Sequence, residues 1–538
     1  MCRASAHKAA PRVPAWNLRA ANPTCEHSRI GIWPTRTSDR RDRRAVRRGR
    51  LAALAALVAI ATALVLVAAW SLDGGESTSV LVPREDVVEI DALAYNDSNA
   101  EELERRAAFG FSQPLYAKSP GGVVATARRT ESYRPLVEDA VADSGFDADL
   151  VEAMVFLESG GRPDVIAGDD PAGASGLTQI LAETARNFLA MDVDLDGSRR
   201  LTVQIAGAER RGNARFAELL RERRRAIDAR FDPRQALAGT VRYLTAARER
   251  LGRDDLAVVS YHMGIGNLTN VLRAYASAPR EVYVPDLVEE EDLSWPRVFF
   301  DTAPDRNESA HELLAPLGDD SPTYYWRVLA AREIMRLFRD DPDRLQELDL
   351  LHRAKTSHEE VLHPPAETER FADPVDVQRA WDAHTLQPFP NEPARLGFAV
   401  DRTMGELAVQ LGQPKELYRG LRAEALALLV YMAGRVKEIS GTAQPLEVTS
   451  TVRDETYQEL LRDGNPEATH GYSLHTTGYA FDVRRRYESG AQAQAFQFVL
   501  DDLTARGLIA WIREPAAIHV TVAPEAEDLV PIVLKPED

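Results

Sequence analysis

Residues 158–180 read ESGGRPDVIAGDDPAGASGLTQI, and this stretch decides how the first half of the chain is understood. A single carboxylate, Glu158, closes the apolar run ADLVEAMVFL at 148–157, in which Leu150, Met154 and Leu157 share one face at helical spacing. Asp147 or Asp149 can cap the start of such a helix, and Gly160-Gly161 can end it. Glu158 then falls in the last turn of a buried helix. The helix dipole is negative there and burial disfavours charge, so the carboxyl should hold its proton more tightly than usual. That is the direction a general acid needs near neutral pH. A lone glutamate at a helix end is more simply a solvated side chain. The second glycine-punctuated turn, Gly173-Ala174-Ser175-Gly176-Leu177-Thr178-Gln179, argues for the acid instead.

Together these segments resemble the active-site signature of soluble-type lytic transglycosylases, the lysozyme-like enzymes that cut peptidoglycan glycan strands. The resemblance continues in order along the chain. Phe231-Asp232-Pro233, Ala238-Gly239 and Tyr243-Leu244 resemble the helix that closes the family's cleft. Ser260-Tyr261-His262-Met263-Gly264-Ile265-Gly266 resembles the family's Ala-Tyr-Asn-Ala-Gly-x-Gly, with His262 in place of Asn and Met263 in place of Ala. Ser321–Val328 resembles the late Tyr segment, with Tyr324 at the Tyr position, and Thr178 stands where Met is usual before Gln179. The resemblance implies an all-α domain in which Glu158 is the catalytic residue and Ser175, Gln179, Tyr261 and Tyr324 bind the glycan. It also implies cleavage between N-acetylmuramic acid and N-acetylglucosamine with a 1,6-anhydro product. Tyr261 and Tyr324 are equally compatible with ordinary packing. Asp169 and Asp170 could supply the second carboxylate of a hydrolytic, lysozyme-like enzyme, so that alternative stays open.

The last third changes character. A helical pattern over 421–436 is followed by the β-rich LEVTSTV at 446–452, then SLHTTGYAFDV at 473–483, a helix near 490–505 and the strand Ile518–Val522. This order resembles zinc D-Ala-D-Ala carboxypeptidases and endolysin peptidases. Their Ser-x-His-x-x-Gly-x-Ala-x-Asp motif is matched at Ser473, His475, Gly478, Ala480 and Asp482. The resemblance implies zinc on His475, Asp482 and His519, and a peptide contact from Arg453. Two His and one Asp leave a fourth position for water, as catalytic zinc requires. The family's acid three residues before the last His is Ala516 here, and Glu514 is the nearest candidate for that role. A domain that binds metal or peptide without cleaving, in a non-catalytic cell-wall scaffold, is the competing expectation.

Charge and hydropathy set the topology expected for the whole chain. Residues 1–50 carry 13 Lys+Arg against 3 Asp+Glu, whereas the full chain has a formal net charge of −18. Residues 51–70, LAALAALVAIATALVLVAAW, have only Thr62 as a polar residue and are preceded by an Arg cluster between Arg36 and Arg50. This predicts a transmembrane helix with a cytoplasmic N-terminus and extracytoplasmic catalytic domains, a cleaved signal peptide being the rival. Cys2 and Cys25 fall in the basic tail, so no disulfide is expected outside. The tail suits anionic lipid better than nucleic acid, and the acidic remainder gives no bulk attraction to an anionic wall.

The expected fold class is therefore multidomain, α and α+β. The chain divides into a basic tail (1–50), a transmembrane helix (51–70), a linker (71–125), a lysozyme-like transglycosylase domain (126–345), a connector (346–400) and an α+β zinc-peptidase-like domain (401–530). Expected partners are glycan strands, stem peptides and the cytoplasmic membrane, with no nucleic acid. Residues 190–230 read as an insertion ending in a charged helix from Ala214 to Arg230. Its start, Asp192, Asp194 and Asp196 before Gly197, matches half of a calcium loop, but Val203 stands at the twelfth position, and a polar turn is the alternative. His352, His358 and His363 show no metal spacing and are expected at the surface.

Overall fold

A computed structural model describes residues 80–84, 91–318, 320–464 and 471–537. Residues 78–538 form one compact unit, mostly helical with some sheet, around two large hydrophobic cores. The expected fold class is corrected at its first element. Among the described residues no helix is long and apolar enough to cross a membrane. The two longest, Pro233–Leu251 and Ala423–Ser440, are interrupted by charges such as Arg242 and Arg248, and Arg435 and Lys437. The 51–70 stretch and the basic tail lie outside the described residues.

Strand β1 (Leu81–Pro83) opens the described chain. Helices α1 (Ala100–Gly110), inside the segment expected to be a linker, and α2 (Val123–Glu131), across its end at 125, follow. Their apolar residues are sparse but sit one helical turn apart, and Leu103, Ala107, Val123 and Ala127 all enter the core. Helix α3 (Ala148–Ser159) is capped by the Asp147 side chain and ended by left-handed Gly160. It is apolar nearly all round, as a central helix must be. Its one charged interior group, Glu152, is held by Arg134 and Arg339.

The expected insertion is a helical hairpin, α4 (Leu195–Arg210) and α5 (Ala214–Arg225), closed on Ile205, Ala208, Ala217 and Leu220. The expected charged helix stops at Arg225, because the chain turns there towards a short helix at Ala229–Phe231. The calcium loop does not form. Asp194 caps α4 through the Gly197 amide, and Asp196 already lies in that helix, 3.5 Å from Arg199. Helices α6 (Pro233–Leu251) and α7 (Asp254–Met263) pack together, and α8 (Tyr324–Asp340) runs along α3.

Beyond α8 the chain continues through α9 (Pro342–Ala354) and α10 (Glu359–Leu362). The three histidines expected at the surface here are buried, at 1%, 5% and 3% exposure for His352, His358 and His363. His352 stacks on Tyr116 at 4.0 Å, and His363 Nε2 meets the Val522 carbonyl at 2.6 Å. Burial lowers the pKa of all three, to about 4 at His358 and His363, so they are neutral aromatic packing groups.

The C-terminal core is a five-stranded sheet of β2 (Phe398–Val400), β3 (Leu446–Ser450), β4 (Ala480–Arg484), β5 (Ile509–Arg513) and β6 (Ala517–Val522), in the order β2-β3-β4-β6-β5. Helices α11 (Ala423–Ser440) and α12 (Gly490–Ala505) pack on each other and supply much of this core. The last strand, β7 (Leu534–Pro536), pairs antiparallel with β1. The helical and sheet-bearing halves meet where α1 crosses α12. There a β-carbon on Gly110 would run into the Thr504 carbonyl.

Gly110→Ala should therefore force the halves apart and destabilise the protein by roughly 1–3 kcal/mol, as overpacking does. Urea unfolding of the two proteins checks this, and an unchanged midpoint would refute the crossing.

Candidate functional site

The first site forms where two glycine turns meet the end of α3. At Gly161 φ is +70°, and a β-carbon would lie 2.7 Å from the Thr130 amide nitrogen, so only glycine lets the chain turn away there. At Gly176 φ is +83° and a β-carbon would clash with the Arg230 carbonyl. The second turn is braced by Arg230, whose side chain is fully buried. Its guanidinium donates to the carbonyls of Gly173 (3.1 Å), Ile180 (3.1 Å) and Pro171 (2.6 Å) and pairs with buried Asp228 at 2.8 Å. A buried ion pair is tolerated only when its remaining donors are satisfied, and here the loop's carbonyls satisfy them.

Glu158 reaches into the space between this loop and α8. Tyr324 Oη donates to Glu158 Oε1 at 2.6 Å. Burial raises the Glu158 pKa to about 7, against opposing pulls from the Tyr324 hydroxyl and Arg327. Tyr261 donates to the Thr178 carbonyl at 2.8 Å, and its ring lies parallel to that of Tyr324 with centroids 6.3 Å apart. His262 also stacks on Tyr324, with centroids 5.3 Å apart, and its Nδ1 lies 2.9 Å from Ser321 Oγ. His262 thus puts an imidazole in the wall beside Tyr324.

Glu158, Tyr261 and Tyr324 are brought together, and Ser175 and Gln179 build the loop beside them. Ser175 is buried and donates to the Gly173 carbonyl at 3.1 Å. Gln179, at φ +55°, turns its amide onto the carbonyls of Gly176 (2.8 Å) and Val165 (3.1 Å). Asp169 and Asp170 are exposed. Asp170 is engaged by Arg199 and the Ala172 amide, which hold its pKa at about 2. Among the described residues, no second carboxylate is among the charges acting on Glu158.

The second site lies on the sheet. Strands β4 and β6 pair in a register that sets Asp482 opposite His519, and His475 comes from the turn before β4. One ligand atom from each of the three lies within 4.8 Å of the others, and all three residues are buried, so the group could hold a metal ion. It is the only such group among the described residues. His475 Nδ1 donates to the Thr451 carbonyl at 2.7 Å, which leaves Nε2 bare in the neutral ring. Burial, reinforced by Arg453, lowers its pKa to about 4 and keeps it neutral. That lone pair faces Asp482 Oδ1 at 3.2 Å, an approach of two acceptors that a cation would relieve. His519 Nδ1 meets the same oxygen at 2.9 Å. Burial lowers the His519 pKa, but Asp482 and Glu359 outweigh it and push it up to about 10.

The cluster opens into a cavity of about 330 Å³ that Arg453, Glu514 and Lys355 also line. Arg453 bonds Ser450, Gln458 and Asp482, and so braces the carboxylate as well as facing the cavity. Strands β5 and β6 form a hairpin in which Ile512 pairs with His519. Glu514, two residues beyond Ile512, therefore shares the face of His519. Ala516 sits exposed at the hairpin tip.

Sequence patterns missed Arg230 and Glu359. Arg230 stands two residues beyond Asp228 and directly before the Phe-Asp-Pro motif, which is its only local signal. Glu359 has none, because its partner His519 is 160 positions away in the chain. No protein-family model matches the chain, and no curated protein matches it.

A carboxyl with a folded-state pKa of about 7, above the usual 4.5, stabilises the fold while it is protonated. That contribution is complete below about pH 4.5 and is lost as pH rises through about 7. Above that pH, keeping Glu158 buried and charged costs up to about 3 kcal/mol. Glu158→Gln removes the cost. Its melting temperature should exceed that of the wild type at about pH 8.5 and match it at about pH 4. A gap independent of pH would contradict this environment for Glu158.

Proposed function

We propose that the chain is a peptidoglycan lytic transglycosylase, with Glu158 as its acid and base. The observation that carries this is one half-buried carboxyl, raised to a pKa of about 7 and held by the Tyr324 hydroxyl, with no second carboxylate among the described residues acting on it. The protonated Glu158 gives its proton to the glycosidic oxygen as the bond from C1 of N-acetylmuramic acid to that oxygen breaks. The resulting carboxylate then takes the proton of the C6 hydroxyl on the same sugar. O6 bonds to C1, the 1,6-anhydro ring closes and Glu158 regains its proton without water being consumed. A pKa near the working pH suits both transfers. A hydrolytic glycosidase uses a pair of carboxylates, and the engagement of Asp170 by Arg199 counts against that alternative.

Purified protein should release anhydro-muropeptides from peptidoglycan sacculi, and Glu158→Gln should slow release by about a hundredfold or more. Mutant release at the wild-type rate would dismiss Glu158 as the acid.

At the second site we propose zinc on His475, Asp482 and His519, serving a peptidase directed at stem peptides. The donor set of two nitrogens and one oxygen, with room left in the cavity, supports zinc. Bound zinc would supply Lewis-acid activation of water and of the scissile carbonyl. Asp482 and His475 are held in place by Arg453 and the Thr451 carbonyl. Glu514, on the same face as His519 and lining the cavity, is placed to hold or pass a proton.

Elemental analysis should find about one zinc per chain, and His475→Ala should lose most of it. Glu514→Gln should keep the metal and lose trimming of stem peptides. Wild-type protein that holds zinc but leaves the peptides whole would make this half a peptide-binding module.

A further inference from the structure

The metal-ligating group does not close within the sheet that carries it. Glu359, the first residue of α10, is 2% exposed and places Oε2 3.3 Å from His519 Nε2. Its other oxygen is paired with Lys355 Nζ, which also donates to the Tyr472 carbonyl at 2.8 Å. The Thr521 hydroxyl lies 3.5 Å from Glu359 Oε2 and 3.3 Å from His519 Nε2. A buried carboxylate is costly unless cations or N–H donors meet both its oxygens, and Lys355 and His519 do so here.

The two nitrogens of His519 therefore have separate duties. Nδ1 points at Asp482 Oδ1 and the ligand cluster, whereas Nε2 points away from it at Glu359. A neutral imidazole that offers Nδ1 to a cation must carry its proton on Nε2, and an acceptor at Nε2 selects that tautomer. Glu359 and Lys355 come from neither the sheet nor its covering helices. They lie at the end of the path α8–α9–α10, whose first residue, Tyr324, holds Glu158.

We propose that Glu359 is a positioning residue of the metal site, a carboxylate lent by the extension of the helical half that fixes the tautomer and ring orientation of His519 so that Nδ1 faces the cation. This rests on His475, Asp482 and His519 being the metal site. Lys355 is the counter-ion that keeps the carboxylate charged and in place. The metal affinity of the sheet-bearing half consequently depends on how α9 and α10 are seated against it.

Zinc binding by the metal-free full-length chain, measured by competition with a chromophoric chelator, tests the proposal. Glu359→Gln keeps the shape and removes the charge, and should lower zinc affinity roughly ten- to hundredfold. The visible absorption of the cobalt(II)-loaded variant should shift as His519 loses its fixed orientation. Lys355→Met should lower affinity in the same direction. Val361→Ala, which loosens the packing of the same short helix without touching the charges around Lys355, should alter neither readout. Zinc affinity in Glu359→Gln within about twofold of wild type, with an unchanged cobalt spectrum, would overturn the proposal, since a carboxylate that orients a ligating imidazole contributes more than that. An equal loss in Val361→Ala would also overturn it, because the effect would then be general loosening of α10. Wild-type protein that takes up no metal would remove both the metal site and this role. A wild type that binds while Glu359→Gln binds equally would remove only the role.

Discussion

The hydrogen bond from Tyr324 to Glu158 is the contact around which the helical half is organised. It joins the last turn of α3 to the first residue of α8, and both helices must be in place before it can form. Its chemical setting depends on burial. Glu158 is raised to a pKa of about 7 because α3 is packed on nearly every side. The residues beyond it can turn back only because glycine occupies 160 and 161. The facing loop has little regular structure of its own, and the buried Arg230–Asp228 pair holds it by its carbonyls. Loss of that brace would leave a buried charge uncompensated, which is far more costly than an exposed pair is worth.

The second centre solves a different electrostatic problem. Two imidazoles and a carboxylate are crowded into a buried space, with Arg453 behind Asp482 and Glu359 behind His519. Each ligating side chain is tied at its far side, which turns its near side inward. Such ties give a metal site its geometry. They come from distant parts of the chain, namely β3 and the turn after it, Gln458 in the helix Glu455–Gly464, and α10. The two centres belong to one compact unit, and the helical path from Tyr324 to Glu359 runs from one to the other.

Local features of the sequence disclosed much of this. The Asp147 cap, the apolar run of α3 and its glycine stop are short-range signals, and the helix forms where they place it. The spacing of His475, Asp482 and His519 was legible through motif order, and the register of β4 against β6 brings two of them face to face. Long-range features were not legible. Residues 71–125 look like a linker because apolar residues without a long regular period are spread among Gly, Ser, Asp and Glu, yet Leu103, Ala107 and Val123 enter the core of the helical half. His352, His358 and His363 look like surface residues because nothing nearby in sequence shows the rings they pack against. The calcium pattern at Asp192, Asp194 and Asp196 failed because a cap and a helix satisfy those side chains first. The roles of Ser175 and Gln179 also depend on tertiary detail, since both spend hydrogen bonds on their own loop.

In the proposed reaction Glu158 performs both proton transfers and water takes no part. Digestion of peptidoglycan in water enriched in oxygen-18, followed by mass spectrometry of the released muropeptides, tests it most directly. The account predicts anhydro-muramic ends that carry no heavy oxygen. Reducing ends that have gained one oxygen-18 atom would contradict it and establish hydrolysis.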